Sequence, residues 1–184
     1  MSNQDQPSET ESYGLGLKSG AVVLLAHNPA WNAAYEIEAA AIRAALADRQ
    51  LGVQHVGSTS IPNIRAKPIL DIMVGIANFD QGPLLEPALA SIGYDFARNV
   101  GIPDDHVFGK GIDRTHLVHV VEYKGAKWHR YLRFRDRLVA DPALALEYDK
   151  LKGNLATQFN EDRASYTAAK QAFIDQVVAT PDAP

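Results

Sequence analysis

The sequence predicts an α+β fold: a mixed β-sheet with packed helices and a helical C-terminal third. Three observations carry this expectation. An amphipathic helical stripe precedes two apolar strand patterns. A glycine-centred hairpin pattern follows them. From Trp128 onward the apolar periodicity is helical throughout.

Taken in order, residues 1–18 open with MSNQDQPSETESYG, polar and without the basic-then-apolar plan of a signal peptide. They are expected to form a flexible tail. Residues 19–179 are expected to form a single domain, with its C-terminal helices starting at about 126. Val22–Leu25 is a short apolar run, a strand or an anchoring segment. Asn28-Pro29 reads as a helix start, with Asn capping and Pro in the first turn. Trp31, Tyr35, Ala39, Ile42 and Leu46 then recur at helical spacing, to an end near Asp48. Leu51–Ser58 reads as a strand, and Lys67–Ile76 as a second strand buried on both faces. Leu84–Ile92 is a helix stopped by Gly93, and Tyr94–Arg98 a short strand. Asp105–Lys110 and Arg114–Glu122 form a hairpin around Gly109-Lys110-Gly111. Asp141-Pro142 separates two helices. Leu144, Tyr148, Leu151, Leu155 and Phe159 line the second of these, which Gly153 weakens. Tyr166, Ala169, Phe173 and Val177 line a third.

Composition narrows the function. The chain has 184 residues, 46% of them hydrophobic, and a formal net charge of −4. Such a balance gives no bulk attraction to nucleic acid or membrane, and no apolar run is long enough to span a bilayer. There is no cysteine, which removes disulfides, thiolate metal sites and a cysteine nucleophile, and suits a reducing cytoplasm.

The chemistry concentrates in HVGSTSIPNIRAKPILDIMVGI, residues 55–76. Gly57-Ser58-Thr59-Ser60 follows a strand. Glycine lets backbone approach a ligand, and serine hydroxyls with free N–H groups can cradle phosphate oxygens, although such a stretch can also be only a turn. Asp71 sits among aliphatic residues, where an ionised carboxylate is costly unless it is paired or bound to a metal. It is either satisfied by backbone N–H groups at a sheet end or is a metal-binding or catalytic carboxylate facing the turn.

A Gly-Ser turn after a strand, followed by an Asp inside an apolar strand, resembles the nucleotidyltransferase fold of the DNA polymerase β superfamily. More closely, HVGSTSIP, AKPILDIMV, RTHLVHVVE and the helix containing Phe134-Arg135-Asp136 resemble the GrpB family over about residues 22–175. The superfamily resemblance implies a turn that holds a nucleoside triphosphate. It also implies an Asp-x-Asp/Glu strand and a third carboxylate binding two Mg²⁺ ions. Gly57, Ser58 and Asp71 match. Met73 stands at the second acid, and a thioether is a poor ligand for a hard cation.

By the same resemblance the strand from Arg114 to Glu122 lies beside that of Asp71, with His119 near the third-acid position. His116 and His119, three apart on a strand, point to opposite faces, so His119 is the candidate to meet Asp71. The pair would serve as a general acid/base couple or as ligands for Zn²⁺, Mn²⁺ or Fe²⁺. His55, at the head of the Gly-Ser strand, is a third candidate metal ligand or half-buried packing. Lys67, Lys110, Arg114 and Arg135 complete the expected phosphate- and nucleotide-binding set with Gly57, Ser58, Thr59 and Ser60. Arg130, Arg133 and Arg137 share one helix face.

The expected function is therefore nucleotide or phosphorylated small-molecule binding, extending to nucleotidyl transfer with a divalent metal, Mg²⁺, Mn²⁺ or Zn²⁺. Asp71 and His119 are the catalytic candidates. Two rival readings stand beside it: a non-catalytic nucleotide-binding module, and an enzyme of another class using an Asp71/His119 centre on a small metabolite. Nucleic acid and membrane are not expected partners.

Overall fold

Strands and helices alternate first and helices close the chain, as the periodicity predicts. The computed structural model describes residues 13–97 and 103–181. Helix α1 (Ala30–Leu46) leads into β1 (Gly52–Val56) and β2 (Leu70–Ile76). A 3₁₀ run at Phe79–Leu85 precedes the short helix α2 (Glu86–Ala90). Strands β3 (Tyr94–Phe96), β4 (His106–Lys110) and β5 (His116–Glu122) complete a five-stranded sheet of order β1-β2-β5-β4-β3. β2 and β5 are parallel and the other neighbours antiparallel, so the sheet is mixed. Helices α3 (Ala126–Ala140), α4 (Pro142–Gln158), α5 (Arg163–Ala169) and α6 (Gln171–Ala179) follow.

Strand alternation sorts the core into two sides. Leu70, Ile72 and Val74 point to one face, where they pack with Val118, Val120 and Phe108 against Trp31, Tyr35 and Ile42 of α1. Met73 points to the other, with Val56, Val121 and Trp128 of α3. Gly52 and Gly75 pair across β1 and β2, and a Cβ on either would fall 2.8 Å from the Trp128 ring, so the indole seats on bare backbone. The α4–α6 annex has its own core with α3, in which Phe134, Leu138, Tyr148 and Val177 meet Ile61 and Ile64.

Strands β1 and β2 are shorter than the expected Leu51–Ser58 and Lys67–Ile76, and four other boundaries differ from the sequence expectation. Leu15 and Leu17 are buried, Leu17 bridges Arg114, and the Tyr13 carbonyl accepts hydrogen bonds from Asn28 and Trp31. Residues 13–17 therefore belong to the packed domain and not to a tail, because their alternate leucines are apolar enough to hold them down; residues 1–12 lie outside the described residues. The expected helix Leu84–Ile92 shortens to α2, since Pro83 and Pro87 favour a tighter 3₁₀ entry. The last helix of the apolar stripe is split at Lys170 into α5 and α6. Strand β3 stops at Phe96, and Arg98 lies outside the described residues.

Candidate functional site

Strand β1 ends at Val56, and Gly57 turns the chain with φ 69° and ψ −173°. L-residues avoid that conformation, and glycine does not. Space imposes the same choice. Val56 pairs with Asp71, and a Cβ on Gly57 would lie 2.8 Å from the Asp71 Cβ and closer still to its Oδ2. The turn that follows, Ser58–Ser60, uses two of its three hydroxyls internally. Ser60 donates to the Gly57 carbonyl at 2.7 Å, and Thr59, fully buried, bonds the His55 ring at 3.0 Å. The third, on Ser58, meets the Tyr148 hydroxyl from α4.

Asp71 and His119 share the α3 face of adjacent parallel strands, with Met73 directly beside His119. His119 Nε2 stands 3.5 Å from Asp71 Oδ1, while its Nδ1 is 2.9 Å from Asp105 Oδ2. Tyr131 of α3 donates to the same Asp105 oxygen at 2.7 Å. Burial alone would lower the His119 pKa. Asp105 and then Asp71 override it and raise it to about 10, so the ring is an imidazolium at neutral pH. Burial alone would raise the Asp71 carboxyl, but the hydrogen bond and charge of His119, with Lys67 and Lys170, hold it below the usual carboxylate range.

Within electrostatic reach of this acidic floor the annex and the β2 approach contribute a basic group. Lys67 precedes β2, Arg163 opens α5, and Lys170 sits at the α5–α6 break. The amines of Lys67 and Lys170 lie 5.5 and 4.4 Å from the centre of the buried Tyr166 ring. All three cations are half-buried and within electrostatic reach of Asp71. Among the described residues, none of the three has a hydrogen bond or ion pair. Burial, then repulsion from Lys170 and Arg163, lowers Lys67 to about 7, and burial lowers Lys170 to about 8 despite Asp71. Lys152 of α4 is fully buried nearby and donates to the Arg65 carbonyl.

Of the sequence-predicted set, Gly57, Ser58, Lys67, Asp71 and His119 converge. Others are set elsewhere. His55 pairs with Ile72, so it faces α1, where it stacks on Tyr35 with ring centroids 4.7 Å apart. Lys110 donates to both oxygens of the buried Glu38 of α1 at 2.8 and 2.9 Å, also on that face. Arg114 makes a two-pronged pair with Asp95 on β3. Arg135 donates to the Gln54 side chain and the His55 carbonyl and pairs with Asp136, which closes the free edge of β1. Arg133 and Arg137 reach backbone carbonyls at the end of α6, and Arg130 pairs with Asp175.

The donor set fits a divalent cation poorly. Among the described residues no three His, Asp or Glu side chains converge on one point. Asp71 and Asp105 sit on opposite nitrogens of His119, so the imidazole separates the two carboxylates. Three cations lie within electrostatic reach of the half-exposed Asp71, and Met73, fully buried beside His119, offers only a thioether.

Sequence reasoning missed Asp105, Tyr131, Tyr148, Arg163 and Lys170. Asp105 was within reach: counting register back from the hairpin turn pairs Val107 with His119 and puts Asp105 two residues on, on the same face. Arg163 and Lys170 carried no signal, because the helical stripe runs through the break at Lys170 without interruption.

A mixed sheet covered by helices on both faces, with a glycine-serine turn pressed on one strand carboxylate, defines an α+β protein whose centre is acidic on the sheet and basic on the helices. The chain belongs to the GrpB family: that family's model, described as GrpB protein, matches residues 21–180. It is similar to the glutamate-rich protein GrpB of Alkalihalophilus pseudofirmus, with 36% identity over 170 residues, 89% of this chain and 98% of the relative. It is 40% identical over 164 residues to a UPF0157 protein of Pseudomonas aeruginosa, covering 86% of this chain and 65% of that protein. The crystal structure of the conserved protein GrpB from Enterococcus faecalis superposes with a TM-score of 0.77 at 35% identity, covering 85% of this chain and 94% of that one.

Proposed function

We propose that the protein binds a phosphorylated small molecule, such as a nucleotide, whose phosphate lies between the Ser58 turn and the cations Lys67, Arg163 and Lys170. One observation carries the reading. Three half-buried cations lie within electrostatic reach of one another and of a single carboxylate, two of them over the Tyr166 ring, with no hydrogen bond or ion pair among the described residues. Buried charge left uncompensated is costly, so a cluster of this kind calls for an anion from outside. Charge-assisted hydrogen bonds from Lys and Arg to phosphate are strong, and Ser58, whose hydroxyl meets that of the buried Tyr148, adds a neutral donor.

Binding is favoured over nucleotidyl transfer. Transfer by two metals needs a second carboxylate, and Met73 stands there. His119 is already protonated between two carboxylates, so it is no general base at neutral pH, which also weakens the reading of an Asp71/His119 enzyme. The absence of cysteine suits a cytoplasmic location for such a binding protein, and among the described residues no helix is long and apolar enough to cross a membrane.

The test is a thermal-shift and calorimetric panel of nucleoside mono- and triphosphates, sugar phosphates and inorganic phosphate. Binding by at least one phosphorylated compound is expected, weakened roughly tenfold or more in Lys170→Gln and in Arg163→Gln. Binding equally strong in both variants would sink the assignment. A pyrophosphate-release assay with each nucleoside triphosphate and Mg²⁺ or Mn²⁺ is expected to stay at background.

A further inference from the structure

We infer that the bound phosphate is a dianion held with no divalent cation between it and the protein, Lys67, Arg163 and Lys170 supplying the charge that metal ions supply in a two-metal site. The inference rests on the phosphate-binding reading above and goes beyond it, to the charge of the ligand and its independence of metal.

Counting charges sets the ligand class. With both amines protonated, the state a bound anion favours, Lys67, Arg163, Lys170 and the His119 imidazolium are four positive charges, and Asp71 and Asp105 are two negative ones. The difference is two. A phosphomonoester, which carries about two negative charges near neutral pH, cancels it. A phosphodiester, with one, leaves half of it standing.

Geometry argues against a bridging metal. Asp71 Oδ1 faces an imidazolium nitrogen at 3.5 Å, and Gly57 backbone fills the side of Oδ2. Mg²⁺ requires near-octahedral oxygens at about 2.0–2.1 Å. Here the neighbours of the half-exposed carboxylate are cations, the apolar Leu117 and Val56 on the adjacent strands, and a glycine. Asp71 has another task in this arrangement. It is the counter-charge that keeps Lys67, Arg163 and Lys170 together in the free protein, and it competes with the incoming anion.

That role has a sign opposite to that of a metal ligand. Neutralising Asp71 removes a repulsion, so Asp71→Asn should bind phosphate more tightly, by roughly fivefold. If Asp71 held a metal that in turn held phosphate, the same change would weaken binding.

The experiment titrates methyl phosphate and dimethyl phosphate into the wild-type protein and Asp71→Asn by calorimetry, in excess EDTA and in excess Mg²⁺. Methyl phosphate should bind in EDTA, with an affinity that Mg²⁺ changes by less than about threefold. Dimethyl phosphate should bind roughly tenfold more weakly, and Asp71→Asn should tighten methyl phosphate. Binding that appears only with Mg²⁺, equal affinity for the diester, or weakening by Asp71→Asn overturns the inference and leaves phosphate binding standing. Absence of binding under every condition overturns the phosphate-binding reading, and the inference with it. If Asp71→Asn does not fold, the comparison of EDTA with Mg²⁺ on the wild-type protein decides.

Discussion

Gly57 and Asp71 touch so closely that a methyl group on the glycine would fall inside the carboxylate, 2.8 Å from its Cβ and 2.9 Å from its Cγ. The backbone of Gly57 is also left-handed, at φ 69°. Two independent penalties then fall on Gly57→Ala: strain of about 1–3 kcal/mol and a steric overlap of similar size. The variant should lose roughly 3 kcal/mol in urea unfolding. In an Asp71→Gly background, which removes the Cβ as well as the carboxylate, the overlap is gone and only the strain remains, so the loss should fall to about half. Equal losses in the two backgrounds would show that the contact is not what selects glycine.

His119 is pinned between Asp105 and Asp71, and removing it leaves Asp105, whose side chain is fully buried, without its counter-charge. His119→Gln should cost roughly 3–5 kcal/mol near pH 6.5. The sign with pH follows from linkage. The folded pKa, about 10, is above the ordinary 6.5. The stabilisation is therefore complete below about pH 6.5 and is lost as pH rises toward 10. Denaturation of both proteins across that window should show the gap narrowing. A constant gap would mean that the ring is neutral.

The fold was legible because its signals are periodic and local. The α1 stripe, the apolar β2 run and the glycine turn before β5 all decide their elements from adjacent residues. The meeting of Asp71 and His119 was legible for a related reason, although Asp105 behind the ring was not: Asp71 in an aliphatic strand contradicts its own surroundings, and period-2 alternation is enough to separate His119 from His116. The basic half was not. Lys67, Lys110, Arg114 and Arg135 read alike in sequence, and only tertiary pairing distinguishes them. Glu38, Asp95 and Gln54 come from three different elements to engage the last three. Lys67 is left with no hydrogen-bonded acid, sharing Asp71 at a distance with Arg163 and Lys170 from a break that periodicity smooths over.

That unpaired state should be measurable as stored instability. Lys67 is lowered to about 7 from 10.5 by burial and by its cationic neighbours, so the protonated amine opposes folding. The folded value lies below the unfolded one. The penalty is complete below about pH 7 and is relieved as pH rises toward 10.5, opposite in slope to the His119 contribution. Lys67→Met keeps the aliphatic stem and removes the charge. It should raise ligand-free stability by roughly 1–2 kcal/mol at pH 7 and weaken phosphate binding about tenfold. Thermal unfolding with and without phosphate reads both effects. A variant less stable than wild type in the absence of ligand would show that Lys67 is structural.

Lys110 provides the contrasting case, a lysine whose acid is already in place. Its amine meets both Glu38 oxygens, and Glu38 is buried, with His116 Nε2 4.0 Å away. Lys110→Met should therefore destabilise, by roughly 3 kcal/mol, because it leaves a buried carboxylate uncompensated. It should leave phosphate affinity unchanged, since the pair lies on the α1 face of the sheet. Replacing Glu38 as well, in Glu38→Gln/Lys110→Met, should recover most of the loss. The single variant also has a spectroscopic mark. His116 is lowered to about 4 by burial, with Glu38 raising it and Lys110 lowering it. Without Lys110 the influence of Glu38 is unopposed and the His116 ring must titrate at higher pH, which its NMR shifts would report. If Lys110→Met instead weakened phosphate binding as strongly as Lys170→Gln, the anion site would have to include the α1 face, and the separation of the two basic groups by the sheet would be wrong.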